Sequence, residues 1–152
     1  MRVAFYAPMK APTHPSPSGD RRMGRLLMQA LGAAGHDVEL ASVFRSYDKG
    51  DAARQARLRD IGGRLADRLV RSYLRRQANQ RPQAWFTYHL YHKAPDWIGP
   101  VVAKALDIPY MVAEASHAPK QSGGAWDVGY GETAKTIAAA DLVISFNETD
   151  NA

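Results

Sequence analysis

The 152-residue chain contains no cysteine. That absence removes disulfides, cysteine-based zinc sites and thiol nucleophiles together, and it fits a reducing compartment, so the cytoplasm is the expected location. Long apolar runs are also missing: nothing approaches the ~20 residues of a membrane-spanning helix, and MRVAFYAP reaches Pro8 before an h-region can form. Three nucleotide and hydrolase fingerprints do not occur, namely G-x-G-x-x-G, the P-loop and the G-x-S-x-G elbow. The histidines show neither H-x-x-x-H nor H-E-x-x-H spacing, so no metal is expected.

What is present describes one ordinary globular domain over residues 1–152, with 45% hydrophobic and 23% charged residues. The net charge of +5 is unevenly spread. Between Asp51 and Arg81 stand nine Arg and three Asp with no Lys or Glu, while the remainder is close to neutral. This segment lacks the interleaved aromatics of nucleic-acid-binding surfaces, so no nucleic acid is expected as partner.

Strand and helix signals alternate along the chain. Arg2 to Ala7 reads as a buried strand stopped by Pro8. PMKAPTHPSPSGD carries four Pro and a Gly and reads as a long loop. A helix follows from Asp20, with Met23, Leu26, Leu27, Ala30, Leu31 and Ala34 at helical spacing and Gly35 as its stop. HDVELAS reads as strand two. Ala52 to Ala78 is helical on the stripe Leu58, Ile61, Leu65, Leu69 and Tyr73, and Gly62 and Gly63 leave open one kinked helix or two. AWFTYHL is strand three, APDWIGPVVAKALDIP a helix, YMVAEAS strand four, ETAKTIAAA a helix after a turn-rich loop, and DLVISFN strand five. The alternation predicts an α/β fold: an open parallel sheet with helices on both faces, binding ligands at the carboxyl ends of its strands.

The candidate binding residues gather at that edge. Ser18, Gly19 and Asp20 lie where a loop becomes a helix, so backbone N–H groups and the helix dipole offer a dock for phosphate or a sugar hydroxyl, with Arg21 and Arg22 beside them. Ser18 or Asp20 can equally serve as the helix cap. His89 and His92 follow strand three, Glu114, Ser116 and His117 follow strand four, and Asn147 closes strand five. His89, Glu114 or His117 can take a proton from a hydroxyl nucleophile; His92, Ser116 and Asn147 are substrate-binding candidates. At 100° per residue Arg57, Arg64, Arg68, Arg71 and Arg75 fall on one narrow helix face beside the leucine stripe. That face suits an anionic membrane surface or is simply solvated.

The order MRVAFYAP, PSGDRRMGRLLMQALGAAGHDVELAS, WFTYHLYHKAPDWIGPVVAKALDIPYMVAEAS and AADLVISFN resembles the N-terminal domain of family 4 glycosyltransferases of the GT-B fold. It includes the turn Gly35-His36-Asp37-Val38 and Pro109 opening strand four. The resemblance implies transfer of a sugar from a nucleotide-sugar donor to a sugar, lipid-linked or polysaccharide acceptor, with neither cofactor nor metal. It assigns acceptor binding to this half and the donor to a C-terminal domain outside the chain, which makes the chain a truncated piece. Members commonly carry a His just after strand four; here Ala115 stands there, flanked by Glu114 and His117. The competing expectation is a stand-alone phosphate- or nucleotide-binding α/β module. An Arg-rich module for membrane or RNA is the third.

Overall fold

The computed structural model describes residues 1–116 and 123–146. Five strands, β1 (Arg2–Tyr6), β2 (Asp37–Leu40), β3 (Ala84–Leu90), β4 (Tyr110–Ala115) and β5 (Leu142–Ile144), alternate with four helices, α1 (Gly19–Ala33), α2 (Ala52–Arg75), α3 (Gly99–Leu106) and α4 (Asp127–Ala139). The strands form one all-parallel sheet in the order β2-β1-β3-β4-β5. The chain winds outward from β1 to β2, then crosses back to β3, so the strand order reverses between β1 and β3. In an open parallel sheet the crevice outside the carboxyl ends of such a pair is where ligands bind.

The central strands β1 and β3 are apolar on both faces and are covered on both, as parallel sheets require. On one face Phe5 and Phe86 stack at 5.6 Å between ring centres under Met23, Leu27, Met28 and Leu31 of α1. On the other, Tyr6, Trp85, Tyr110 and Val112 pack under Ala66 and Tyr73 of α2 and Val102 and Ala103 of α3. Asp96 is wholly buried at the foot of α3. Its Oδ2 accepts from the Thr87 hydroxyl at 2.6 Å and the Tyr110 hydroxyl at 2.7 Å. Its Oδ1 accepts the N–H groups of Ile98 at 3.0 Å and Gly99 at 2.7 Å.

Three helices depart from the sequence reading. α3 covers only Gly99–Leu106 of APDWIGPVVAKALDIP, starting past Asp96, whose buried carboxylate takes the Ile98 and Gly99 N–H groups. α2 runs unbroken through Gly62 and Gly63. Its fully buried residues are Gln55, Gly62, Ala66 and Tyr73; of the expected stripe Tyr73 is among them, Leu65 and Leu69 pack half-buried against the core, and Ile61 is 42% exposed. The reason is close approach: a Cβ on Gly62 would stand 2.5 Å from the Cβ of Trp97, so the helix packs through small residues and its larger ones move to the flanks. α4 begins at Asp127, ahead of ETAKTIAAA, because Gly129 lies against the His92 carbonyl, where any side chain would overlap. A glycine-rich stretch that reads as loop is there the first turn of a helix.

The two adjacent glycines of α2 give opposite expectations. Gly62→Ala lowers stability by about 1–3 kcal/mol through overpacking against Trp97. Gly63→Ala, with no atom within 4 Å of its added Cβ, raises it by up to about 1 kcal/mol through helix propensity. Urea unfolding of both variants checks the sign.

Candidate functional site at the carboxyl edge

The loop after β1, residues 7–18, is held on α1. The Arg21 guanidinium donates to the His14 carbonyl at 3.0 Å and Arg25 to the Pro12 carbonyl at 2.7 Å. Gly24 allows this, because Pro12 rests 3.2 Å from where its Cβ would be. Ser18 is the N-cap, its hydroxyl oxygen accepting the Arg21 N–H at 3.1 Å. The capping role thus falls to Ser18, not Asp20. A first turn leaves further N–H groups without intrahelical acceptors, and here they border an open cavity of about 480 Å³ lined by Pro17, Ser18, Gly19, Arg21, Arg22 and Arg25. A Cβ on Gly19 would meet nothing within 4 Å, so the space over that glycine is clear.

Asp20, one residue inside α1, reaches across to β3. Its Oδ1 is 2.8 Å from Nδ1 of His89, and both side chains are about a quarter exposed, 26% and 28%. A carboxylate on Nδ1 selects the tautomer that carries its proton there, which leaves the Nε2 lone pair as the basic atom. The His89 ring stacks on Tyr91 at 4.8 Å and 17°, so its plane is fixed from a second side. The Tyr88 hydroxyl lies 3.5 Å from the same Asp20 oxygen, a long and weak contact. The Tyr88 phenol is pushed up to about 12, first by burial, then by the charges of Asp20 and Glu114.

His89 and Glu114 stand opposite each other in the β3–β4 register, between the pairs Tyr88↔Ala113 and Leu90↔Ala115. Both have left-handed backbone, with φ of 63° and 58°. Each such residue costs of order 1–3 kcal/mol and persists only where the surroundings enforce it. The Glu114 Oε1 accepts the Phe146 N–H at 2.7 Å, tying the end of β4 to the segment after β5.

The structure therefore brings Asp20 and His89 into contact, with Glu114 on the neighbouring strand and Ser18, Gly19, Arg21 and Arg22 around the opening of α1. Ser116 is exposed past the end of β4, its N–H on the Leu90 carbonyl. The His92 ring makes edge-to-face contacts with Tyr91 at 5.4 Å and with Trp126 at 5.5 Å. His117 and Asn147 lie outside the described residues. Tyr88 and Tyr91 escaped the sequence reading; their signal was the alternation in TYHLY, which sends aromatic rings to both sides of His89. Among the described residues no group of three His, Asp or Glu is placed to hold a metal, and no helix is long and apolar enough to cross a membrane.

Two measurements check the Asp20–His89 pair. Nitrogen NMR of the wild type finds His89 protonated at Nδ1 when neutral, and Asp20→Asn erodes that preference. The same substitution removes a negative charge beside Tyr88, so its phenol ionises at lower pH than about 12. Because the raised value reflects a preference for the neutral phenol in the fold, this contribution to stability is present below pH 10 and lost as pH rises through 12.

No protein-family model, no curated protein and no solved structure matches this chain.

Proposed function

We propose that the chain is the acceptor-binding α/β domain of a glycosyltransferase that moves a sugar from a nucleotide-sugar donor to a hydroxyl of a sugar, lipid-linked or polysaccharide acceptor. The observation that carries the reading is the Asp20–His89 pair, set beside the opening of α1 at the point where strand order reverses. The His89 Nε2 takes the proton of the acceptor hydroxyl as its oxygen bonds to the anomeric carbon. The bond from that carbon to the donor's phosphate oxygen breaks, and the nucleoside diphosphate leaves. Asp20 holds the imidazole in its working tautomer and stabilises the imidazolium that forms, a division of labour general to oriented histidine bases. Arg22, for which no protein acceptor is found among the described residues, and the N–H groups of the α1 first turn supply positive potential toward the departing phosphates. Donor binding belongs in this reading to a second α/β domain, and the reaction runs on the cytoplasmic side, at or near the inner membrane face.

A phosphate- or nucleotide-binding module without chemistry is the second reading. The cavity beside Arg21, Arg22 and Arg25 favours it, being lined by three cationic side chains at a helix N-terminus.

Titration of the isotope-labelled chain separates the two. With methyl glycosides as acceptor probes, the signals of Gly19, His89 and Tyr91 shift, and Asp20→Ala and His89→Ala weaken binding. The 152 residues alone form no product from any nucleotide sugar. In a protein that also carries the donor domain, His89→Ala lowers kcat by about 10²- to 10⁴-fold. Shifts confined to Gly19 and Arg22, induced by nucleotides and not by glycosides, would establish the module instead.

A further inference from the structure

One face of α2 is set apart from the rest of the molecule by what its arginines do not touch. Away from that face every arginine but Arg22 has a protein acceptor, as Arg2 has Asp37 at 2.9 Å, Arg25 the Pro12 carbonyl and Arg76 both oxygens of Glu39. Arg57, Arg64, Arg68, Arg71 and Arg75 are exposed, and no hydrogen bond or ion pair to another described residue is found for any of them. This holds although Asp60 and Asp67 lie one turn before Arg64 and Arg71, a spacing at which ion pairs commonly form.

The five span an arc of about 60° at 100° per residue, roughly half a turn from the buried line Gln55, Gly62, Ala66 and Tyr73. They point straight out, where the sequence reading set them beside the apolar stripe. Ile61, 42% exposed and one turn from Arg57 and from Arg64, lies about 20° beyond one side of the row; Leu74, at 48%, lies about 60° beyond the other. The helix is 24 residues long and unbroken, a straight edge of about 36 Å. The only aromatic residue in α2 is Tyr73, which is buried. The face therefore offers nothing for nucleic-acid bases to stack on, but a row of exposed cations is what the negative potential of an anionic lipid surface attracts.

We infer that α2 docks flat on an anionic bilayer, its five unpaired guanidinium groups against lipid phosphates and Ile61 toward the acyl boundary. As a crossover helix, α2 runs antiparallel to the strands, from the carboxyl edge after β2 to the amino edge before β3. With the helix flat on the membrane, the strands lie along the surface and the carboxyl edge opens sideways at head-group level. The inference is independent of any sugar transfer and stands or falls apart from it.

The test is co-sedimentation of the chain with vesicles of phosphatidylglycerol and phosphatidylcholine, against vesicles of phosphatidylcholine alone, at low and high salt. Binding is expected only to the anionic vesicles and only at low salt. Each basic residue near such a surface contributes about five-fold, so Arg64→Glu plus Arg68→Glu weakens partitioning by at least about thirty-fold. Arg64→Gln plus Arg68→Gln, which neutralises without reversing, falls between. Lys49→Glu plus Lys135→Glu, the same change in net charge at exposed sites off the helix, has little effect; circular dichroism verifies that each variant is folded. The proposal is overturned by absence of binding at low salt, by binding that high salt does not release, or by equal losses in the two Glu pairs. Preference for single-stranded RNA over the vesicles overturns it as well.

Discussion

A buried carboxylate, with four donors and no counter-cation among the described residues, joins three elements of this fold. Asp96 takes hydroxyl hydrogens from Thr87 on β3 and Tyr110 on β4, and N–H groups from Ile98 and Gly99 at the start of α3. Burial pushes its carboxyl above the ordinary value, and the hydrogen bonds from Thr87, Gly99, Tyr110 and Ile98 pull back without cancelling that effect. Removing the acceptor would strand two hydroxyls and two N–H groups, each worth about 1–3 kcal/mol when buried without a partner. Gly99 is glycine for the same reason, since a Cβ there would overlap both the Asp96 carboxylate and the Trp85 indole. The Trp85 indole N–H closes the network by donating to the Thr87 hydroxyl at 2.9 Å.

The consequences run outward to the sheet edge. The connection from β3 to α3 carries a series of ring contacts: His89 stacks on Tyr91, Tyr91 meets His92 edge to face, and His92 meets Trp126, ahead of α4, edge to face. A second buried carboxylate supports the same edge from the β2 side. Asp48 Oδ2 accepts the N–H groups of Gly50 and Asp51, both at 2.7 Å, and the Gln55 amide at 3.0 Å. Burial alone would raise the Asp48 carboxyl; those bonds and Arg54 outweigh it and hold it below its ordinary value. His89 and Glu114, two of the three non-glycine residues with left-handed φ among those described, are the next-to-last residues of β3 and β4, at this supported edge.

Much of the architecture was legible because its signals are local. Pro8 and Pro109 bracket strands, the proline-rich run after β1 excludes regular structure, and the alternation of short β-branched segments with helical stripes dictates parallel strands. What stayed hidden depends on contacts between elements. Gly62 looks like a helix breaker until Trp97 is seen against it, and Gly129 looks like loop until the His92 carbonyl occupies its Cβ position. The same limit applied to the site. Spacing placed Asp20 and His89 at one sheet edge but said nothing of their pairing across 69 residues of chain, nor of the Tyr91 ring that both His89 and His92 touch. The orientation of the arginine face differs from the expectation, because Gly62 and Ala66, which carry little weight in a hydrophobic pattern, are buried on the opposite side of α2 beside Gln55 and Tyr73.

The central proposal is that an acceptor binds between the carboxyl ends of β1 and β3, its hydroxyl against His89. A crystal structure of the chain soaked with a methyl glycoside acceptor tests this most directly. The account predicts a sugar hydroxyl within about 3 Å of the His89 Nε2, with Asp20 still on Nδ1. A glycoside seated instead in the cavity of about 420 Å³ between α3 and α4, against Lys104 and Asp141 at the opposite edge of the sheet, with the crevice beside His89 empty, would contradict it.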